Sequence, residues 1–69
     1  MFREGMVVQF GENHKWCKCF GTIEEVKKLE NDFKYLVSVP IIQDNTVCFA
    51  YIFVLESECA LNYVGWPTV

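Results

Sequence analysis

The chain has 69 residues, which is enough for one domain and for no more. A domain of this size buries only about 60% of its unfolded surface, so its stability is marginal unless a disulfide, a metal or another chain adds to it. A formal net charge of −3 with 52% hydrophobic residues excludes a disordered acidic segment, and it argues against general phosphate binding, which usually shows as a basic surplus.

The amino-terminal segment predicts no secretion signal. Residues 1–16 contain neither a long apolar core nor a small-residue cleavage site. The longest apolar run, Val47–Leu55, has nine residues, whereas a membrane-spanning helix needs about 20. A soluble cytoplasmic protein with reduced thiols is therefore expected.

The first two apolar segments are predicted to be strands. Phe2–Phe10 alternates apolar residues after a turn at Gly5, and a polar loop follows at 11–15. Trp16–Ile23 is the second predicted strand. Gly21 inside it indicates a bulge or a close backbone approach, which a small and strongly bent sheet requires.

Two interpretations compete for Thr22–Asp32. Thr22 with Glu25 fits a capping box, and three apolar residues at helical spacing follow. This pattern predicts an α+β fold with a helix at 23–30. The other interpretation continues the second strand to about Leu29 and then turns into the next strand. Local pattern alone slightly favours the helix.

The central part of the chain predicts a hairpin. Phe33–Val39 alternates as a half-buried strand does. Pro40 ends this strand or places it near an edge, since proline has no N–H for a ladder. A turn is predicted at 43–45, and the run Thr46–Leu55 then forms the longest strand, rich in β-branched and aromatic residues.

The last elements are predicted to be short. A single helical turn is expected at Ser57–Cys59 and a final strand at Ala60–Val64, followed by a tail at 65–69. Trp66 in this tail is expected to be covered, because its side chain is large and mostly apolar.

Four segments of the chain resemble the small barrels of the KOW and SH3-like families. They are FREGMVVQF, CFGTIEEV, YLVSVP and VLESECALNYV. The matching positions are Phe2 and Gly5, Gly21 and Ile23, Tyr35 and Val37, and Ser57 to Leu61. The resemblance implies one all-β domain over residues 1–69: a five-stranded SH3-like barrel with a short helical turn before the last strand. It also assigns strand rather than helix to Thr22–Leu29.

The long strand Thr46–Leu55 predicts a protein contact. Both of its faces are apolar, whereas a small barrel has one interior. Either its aromatic residues fill that interior and Ile52 and Val54 are exposed, or the reverse. The predicted contact residues are Ile52, Val54, Leu55 and Trp66. The alternative is that Trp66 and the tail fold back beside this strand and cover it within the same chain. The expected function is a non-enzymatic interaction module that binds and modulates a host protein, a role that chains of this style have among small phage accessory proteins. A homodimer through the same strand is compatible with it.

The alternative function is nucleic-acid binding, which the resemblance implies because KOW-type barrels are often ribosomal or transcriptional. Basic and aromatic residues interleave in one segment, and small barrels can stack bases on such a face. These residues are Lys15, Trp16, Lys18 and Phe20. The alternative for the same segment is that its two aromatic residues belong to the core and that its lysines are solvated.

Metal binding and catalysis have weaker patterns. His14, Cys17 and Cys19, with Cys48 or Cys59, supply zinc-ligand types, but Cys-x-Cys on a strand holds its sulfurs apart, and structural zinc sites favour Cys-x-x-Cys. Free cysteines are otherwise small buried hydrophobes. No histidine, serine or acidic residue stands at a catalytic spacing. We therefore expect no cofactor, no metal and no enzymatic activity.

Overall fold

In the computed structural model, which describes residues 1–67, five antiparallel strands form one sheet in the order β4-β3-β2-β1-β5. The strands are β1 (Val7–Phe10), β2 (Phe20–Lys28), β3 (Phe33–Gln43), β4 (Thr46–Leu55) and β5 (Leu61–Gly65), and a 3₁₀ turn (Glu56–Glu58) lies between β4 and β5. The predicted all-β class, with five strands and a helical turn before the last one, is confirmed. Among the described residues, no helix is long and apolar enough to cross a membrane.

The core lies on one face of the curved sheet. Its largest members are Phe10 from β1, Ile23 from β2 and Tyr35 from β3, all at most 1% exposed. The other buried apolar residues are Val8, Val37, Val39, Val54, Ala60 and Leu61. Alternation along β1 and β3 predicts which of their side chains point inward, because successive side chains of a strand point to opposite faces.

The hairpin of β3 and β4 is longer than the rest of the sheet. Asp44 and Asn45 both have positive φ, 52° and 61°, which is the conformation of a two-residue turn that matches the twist of the flanking strands. β2 pairs with β3 only as far as Ser38. No β2 residue lies beside Pro40, so its missing N–H breaks no hydrogen bond of the ladder. Pro40 can therefore lie within β3 rather than at its end.

β2 is a strand through Lys28, so the helix predicted for 23–30 is wrong and the strand assigned by the resemblance is right. The β2–β3 register shifts between Ile23 and Glu25. Such a bulge bends the strand and increases its twist. Pairing with β3 satisfies the backbone here, and this long-range contact outweighs the local helical pattern.

The predicted strand at Trp16–Ile23 begins too early, since residues 16–18 form turns and β2 starts at Phe20. Lys18 has a φ of 68°. Its N–H donates to the carbonyl of Phe10, and the N–H of Phe10 donates to the carbonyl of Cys19. These bonds tie the loop back to β1 and exclude an extended backbone.

The carboxyl-terminal elements follow the prediction within one residue. The 3₁₀ turn precedes the predicted one by one residue, and Cys59 ends it in the left-handed region, with a φ of 52°. β5 begins at Leu61 rather than Ala60 and ends at Gly65. Of the predicted tail, residues 68 and 69 lie outside the described part of the chain.

Candidate interaction surface

The outward face of β4 carries large apolar side chains that are mostly exposed. The four side chains that point away from the core are 56–63% exposed: Val47, Phe49, Tyr51 and Phe53. Burying a large apolar side chain contributes about 1.5–3 kcal/mol relative to leaving it in water. Contact of this face of β4 with another apolar surface would therefore be favourable in free energy.

β3 extends the same apolar face. Pro40 pairs with Phe49, and Ile42, which is 80% exposed, pairs with Val47. Cross-strand neighbours of this kind stand about 5 Å apart, so their side chains touch. We call these six residues the outer patch: Pro40, Ile42, Val47, Phe49, Tyr51 and Phe53.

Charged side chains border the outer patch at its end near Phe53. Lys34 places its Nζ 4.2 Å from the centre of the Phe53 ring, a cation–π contact. Glu25 and Lys27 of β2 line the same shallow depression. Farther along β3, the hydroxyl of Ser38 donates to Glu24 at 2.6 Å. The patch therefore has an uncharged centre and a charged rim of both signs.

Two of the predicted contact residues lie on the other face of β4. Val54 is 1% exposed and belongs to the core, and Ile52 packs against that core, so the expectation that they point outward is wrong. Their β3 partners are Tyr35 and Val37, which are both fully buried. Because successive side chains of a strand point to opposite faces, the placement of Val54 and Ile52 in the core leaves the aromatic side chains of β4 pointing outward.

The other two predicted contact residues line different clefts. Leu55 is half-buried at the end of β4 and lines a cleft with Phe2. Trp66 is 52% exposed and lies over the amino-terminal turn, where a Cβ at Gly5 would stand 3.4 Å from its ring. The structure thus does not assemble the four predicted residues into one surface.

The predicted nucleic-acid segment is only partly available. Lys15, Lys18 and Phe20 are exposed, and Phe20 is 52% exposed. Trp16 is half-buried and packs against the core. Glu12 lines the same depression as Lys18, so an acidic residue borders this part of the segment. One aromatic ring and two lysines remain for contact with a nucleic acid.

The residues weighed as zinc ligands are not gathered in the described part of the chain, where no three His, Cys, Asp or Glu side chains come together. The Nδ1 atom of His14 accepts a hydrogen bond from the Trp16 N–H at 3.1 Å, and its ring packs on Phe10, 4.6 Å between centroids. All four cysteines are free thiols. His14 therefore orders the loop by contacts within the chain.

A cleft of about 330 Å³ lies between the end of β4 and β5, and Tyr35 is at its base. The phenol oxygen accepts a hydrogen bond from the Phe2 N–H at 3.0 Å and donates to the Glu56 carboxylate at 3.2 Å. Burial raises the pKa of Tyr35, and the nearby charge of Glu56 raises it further, whereas the bond from Phe2 opposes the shift. The protonated phenol thus joins the amino terminus to the 3₁₀ turn.

This raised pKa predicts a loss of stability at alkaline pH. A group with a higher pKa in the folded state stabilises the fold below its unfolded pKa, and that contribution is lost as the pH rises through the folded pKa, here above about pH 10. We expect Tyr35→Phe to cost about 1 kcal/mol at neutral pH and to flatten the alkaline decline. Urea unfolding at pH values from 8 to 11 measures the loss of stability and its alkaline decline. Tyr63→Phe, at an exposed tyrosine, is the control. Equal alkaline slopes in wild type and Tyr35→Phe would contradict this assignment.

Asp32 links the β2–β3 turn to the 3₁₀ turn. Its carboxylate accepts hydrogen bonds from the Ser57 hydroxyl at 2.5 Å, the Ser57 N–H at 3.1 Å and the Phe33 N–H at 2.8 Å. The Ser57 hydroxyl is the main cause that lowers the pKa of Asp32, followed by the Phe33 N–H. These bonds hold the segment after β4 in place, and with it the end of the outer patch.

Neither a protein-family model, nor a curated protein, nor a solved structure matches this chain.

Proposed function

We propose that this chain is a non-enzymatic, cytoplasmic protein-interaction module that docks through the outer patch. One observation carries the proposal: four neighbouring outward positions of β4 hold Val47, Phe49, Tyr51 and Phe53, each more than half exposed. Contiguous apolar patches with polar borders are typical of surfaces that bind another protein. This chain resembles small phage accessory proteins, and on that basis its partner is a host protein whose activity it modulates.

The composition of the patch supports a protein partner. Aromatic residues are enriched at the centres of protein interfaces and charged residues are depleted there. The outer patch holds three aromatic rings and no charge, while Lys34, Glu25 and Lys27 border it. Such a rim can orient a partner without placing an unpaired charge in the buried centre.

Nucleic-acid binding through Lys15, Lys18 and Phe20 is the second candidate. The observation in its favour is that Phe20 is 52% exposed in the same segment as two exposed lysines. A base could stack on this ring while the lysines contact phosphates. The acidic balance of the chain and the inward packing of Trp16 favour the protein partner instead.

A pair of photo-crosslinking variants distinguishes the two candidates. The crosslinker benzoylphenylalanine is introduced either at Phe49 in the outer patch or at Phe20, and both positions are exposed strand phenylalanines, 56% and 52%. Irradiation in bacterial cells is expected to give a discrete protein adduct from position 49 and none from position 20. RNA or DNA adducts from position 20, without a protein adduct from position 49, would favour the nucleic-acid candidate.

The adduct partner is then purified and its affinity measured by titration calorimetry. We expect Phe49→Lys to weaken binding about 30-fold or more, since a central aromatic anchor contributes about 2 kcal/mol. Phe20→Lys is the matched control, and it should change the affinity less than about threefold. Equal losses from the two substitutions would exclude the outer patch as the contact surface.

A further inference from the structure

We infer that the free edge of β4 pairs with β4 of a second copy of this chain, antiparallel and about a two-fold axis. The two sheets would then join into one continuous sheet. The inference rests on the proposed function only in taking β4 as the contact element. The contact itself is made by backbone groups at the edge, whereas the proposed function uses the side chains of the outer patch.

Hydrogen bonding at one end of β4 shows which of its backbone groups are free. The Leu55 N–H donates to a carboxylate oxygen of Glu58 at 2.9 Å, so it points away from β3. In an antiparallel pair the direction of the N–H and C=O groups alternates from residue to residue. The odd-numbered residues of β4 therefore direct their backbone groups toward the free edge: Val47, Phe49, Tyr51 and Phe53.

β4 lacks the features by which edge strands usually avoid pairing. Natural edges carry lysines, prolines, bulges or covering segments. β4 has ten residues without a charge or a proline, and its pairing with β3 runs from Leu55 to Thr46 without a register shift. In the described part of the chain, β4 is one of the two edges of the sheet, and β5 is the other. Glu58 caps one N–H at the end of β4 and leaves the next four odd-numbered residues open to a partner.

Charge and size favour a second copy as that partner. Two β4 strands bring no charges together along the ladder, because neither contains one. A register with Ala50 opposite Ala50 of the second copy uses all four open residues of each chain. Phe49 then faces Tyr51 of the second copy, and Val47 faces Phe53. The smallest side chain of the strand lies on the axis, where the two backbones approach most closely, about 4.5 Å between Cα atoms.

Pairing in this register changes the interaction surface. A two-fold axis perpendicular to the sheet places both outer patches on the same side, next to each other. The dimer thus presents one apolar surface about twice the size of the outer patch.

Amide hydrogen exchange of the unmodified protein tests the edge directly. With increasing protein concentration, the amides of Val47, Phe49, Tyr51 and Phe53 should become at least about tenfold more protected. The amides of Cys48, Ala50, Ile52 and Val54 already bond to β3 and should change little. Light scattering should give twice the 8.1 kDa mass of one chain. A concentration-independent monomer would overturn the inference, even if Phe49 crosslinks to another protein.

Two substitutions at one position separate edge pairing from stacking of the outer patches. Tyr51→Pro removes a free N–H without removing a bond to β3, and an edge strand tolerates proline at such a position. It breaks one ladder bond in each copy and should raise the dissociation constant about 30-fold. Tyr51→Ala keeps the N–H and should weaken the dimer less. Edge pairing would be overturned if Tyr51→Pro and Tyr51→Ala weakened the dimer equally. It would also be overturned if the protection of the β4 amides did not alternate between odd and even residues.

Discussion

Val54→Asp is expected to unfold the protein, whereas Phe53→Asp is expected to leave it folded. The two residues are neighbours in β4 and point to opposite faces. Val54 is 1% exposed within the core, and Phe53 is 61% exposed. A carboxylate at Val54 would lie among Tyr35 and other buried residues without a partner.

The size of the effect expected for Val54→Asp follows from the marginal stability of so small a domain. Burying an unpaired charge costs several kcal/mol, and a domain of this size has a total unfolding free energy of about 3–10 kcal/mol. An aspartate at Phe53 stays in water near Lys34 and should change that free energy by no more than about 1 kcal/mol. Circular dichroism and thermal melting compare the two variants. A cooperative melt for Val54→Asp near the wild-type temperature would contradict the assigned inner face of β4.

The second large effect is expected at Gly21. This buried glycine of β2 lies against β3, and a Cβ there would stand 2.5 Å from Val37 Cγ1 and 3.0 Å from the Ser38 carbonyl oxygen. Val37 is fully buried in the core and the Ser38 carbonyl belongs to the β3 backbone, so neither can move away cheaply. Gly21→Ala should cost about 3 kcal/mol, at the upper end of overpacking effects, and Gly21→Val should prevent folding.

Gly65 provides the matched control, because a Cβ there would meet no atom within 4 Å. Gly65→Ala and Gly65→Val should each change the unfolding free energy by less than about 1 kcal/mol. Urea unfolding at neutral pH measures all four variants. Similar losses at Gly21 and Gly65 would mean that the close approach of β2 and β3 is not what requires a glycine.

Local patterns predicted most of the strands. The bounds of β4 and the inward face of β3 follow from alternation and from runs of β-branched and aromatic residues, since both depend on the two-residue period of a strand. The turn at 43–45 was predicted from its Asp and Asn, which tolerate the positive φ that a tight hairpin requires. These features depend on neighbours within a few residues.

Features that depend on distant partners were not predictable in the same way. The helical pattern after Thr22 is real, yet pairing with β3 makes the segment a strand. The turns at residues 16–18 depend on hydrogen bonds to Phe10, several residues earlier in the chain. Trp66 was expected beside β4, but it lies over Gly5 at the amino terminus.

For the candidate surface, the amino-acid pattern predicts the element but not its exposed face. It placed a ten-residue apolar strand in a domain too small to cover both sides of it. The side that faces water is set by packing against β3, because both sides of β4 are apolar and periodicity cannot rank them. Val54 and Ile52 pack with the core beside Tyr35 and Val37, and the alternation of side chains along β4 therefore places its aromatic residues on the exposed face.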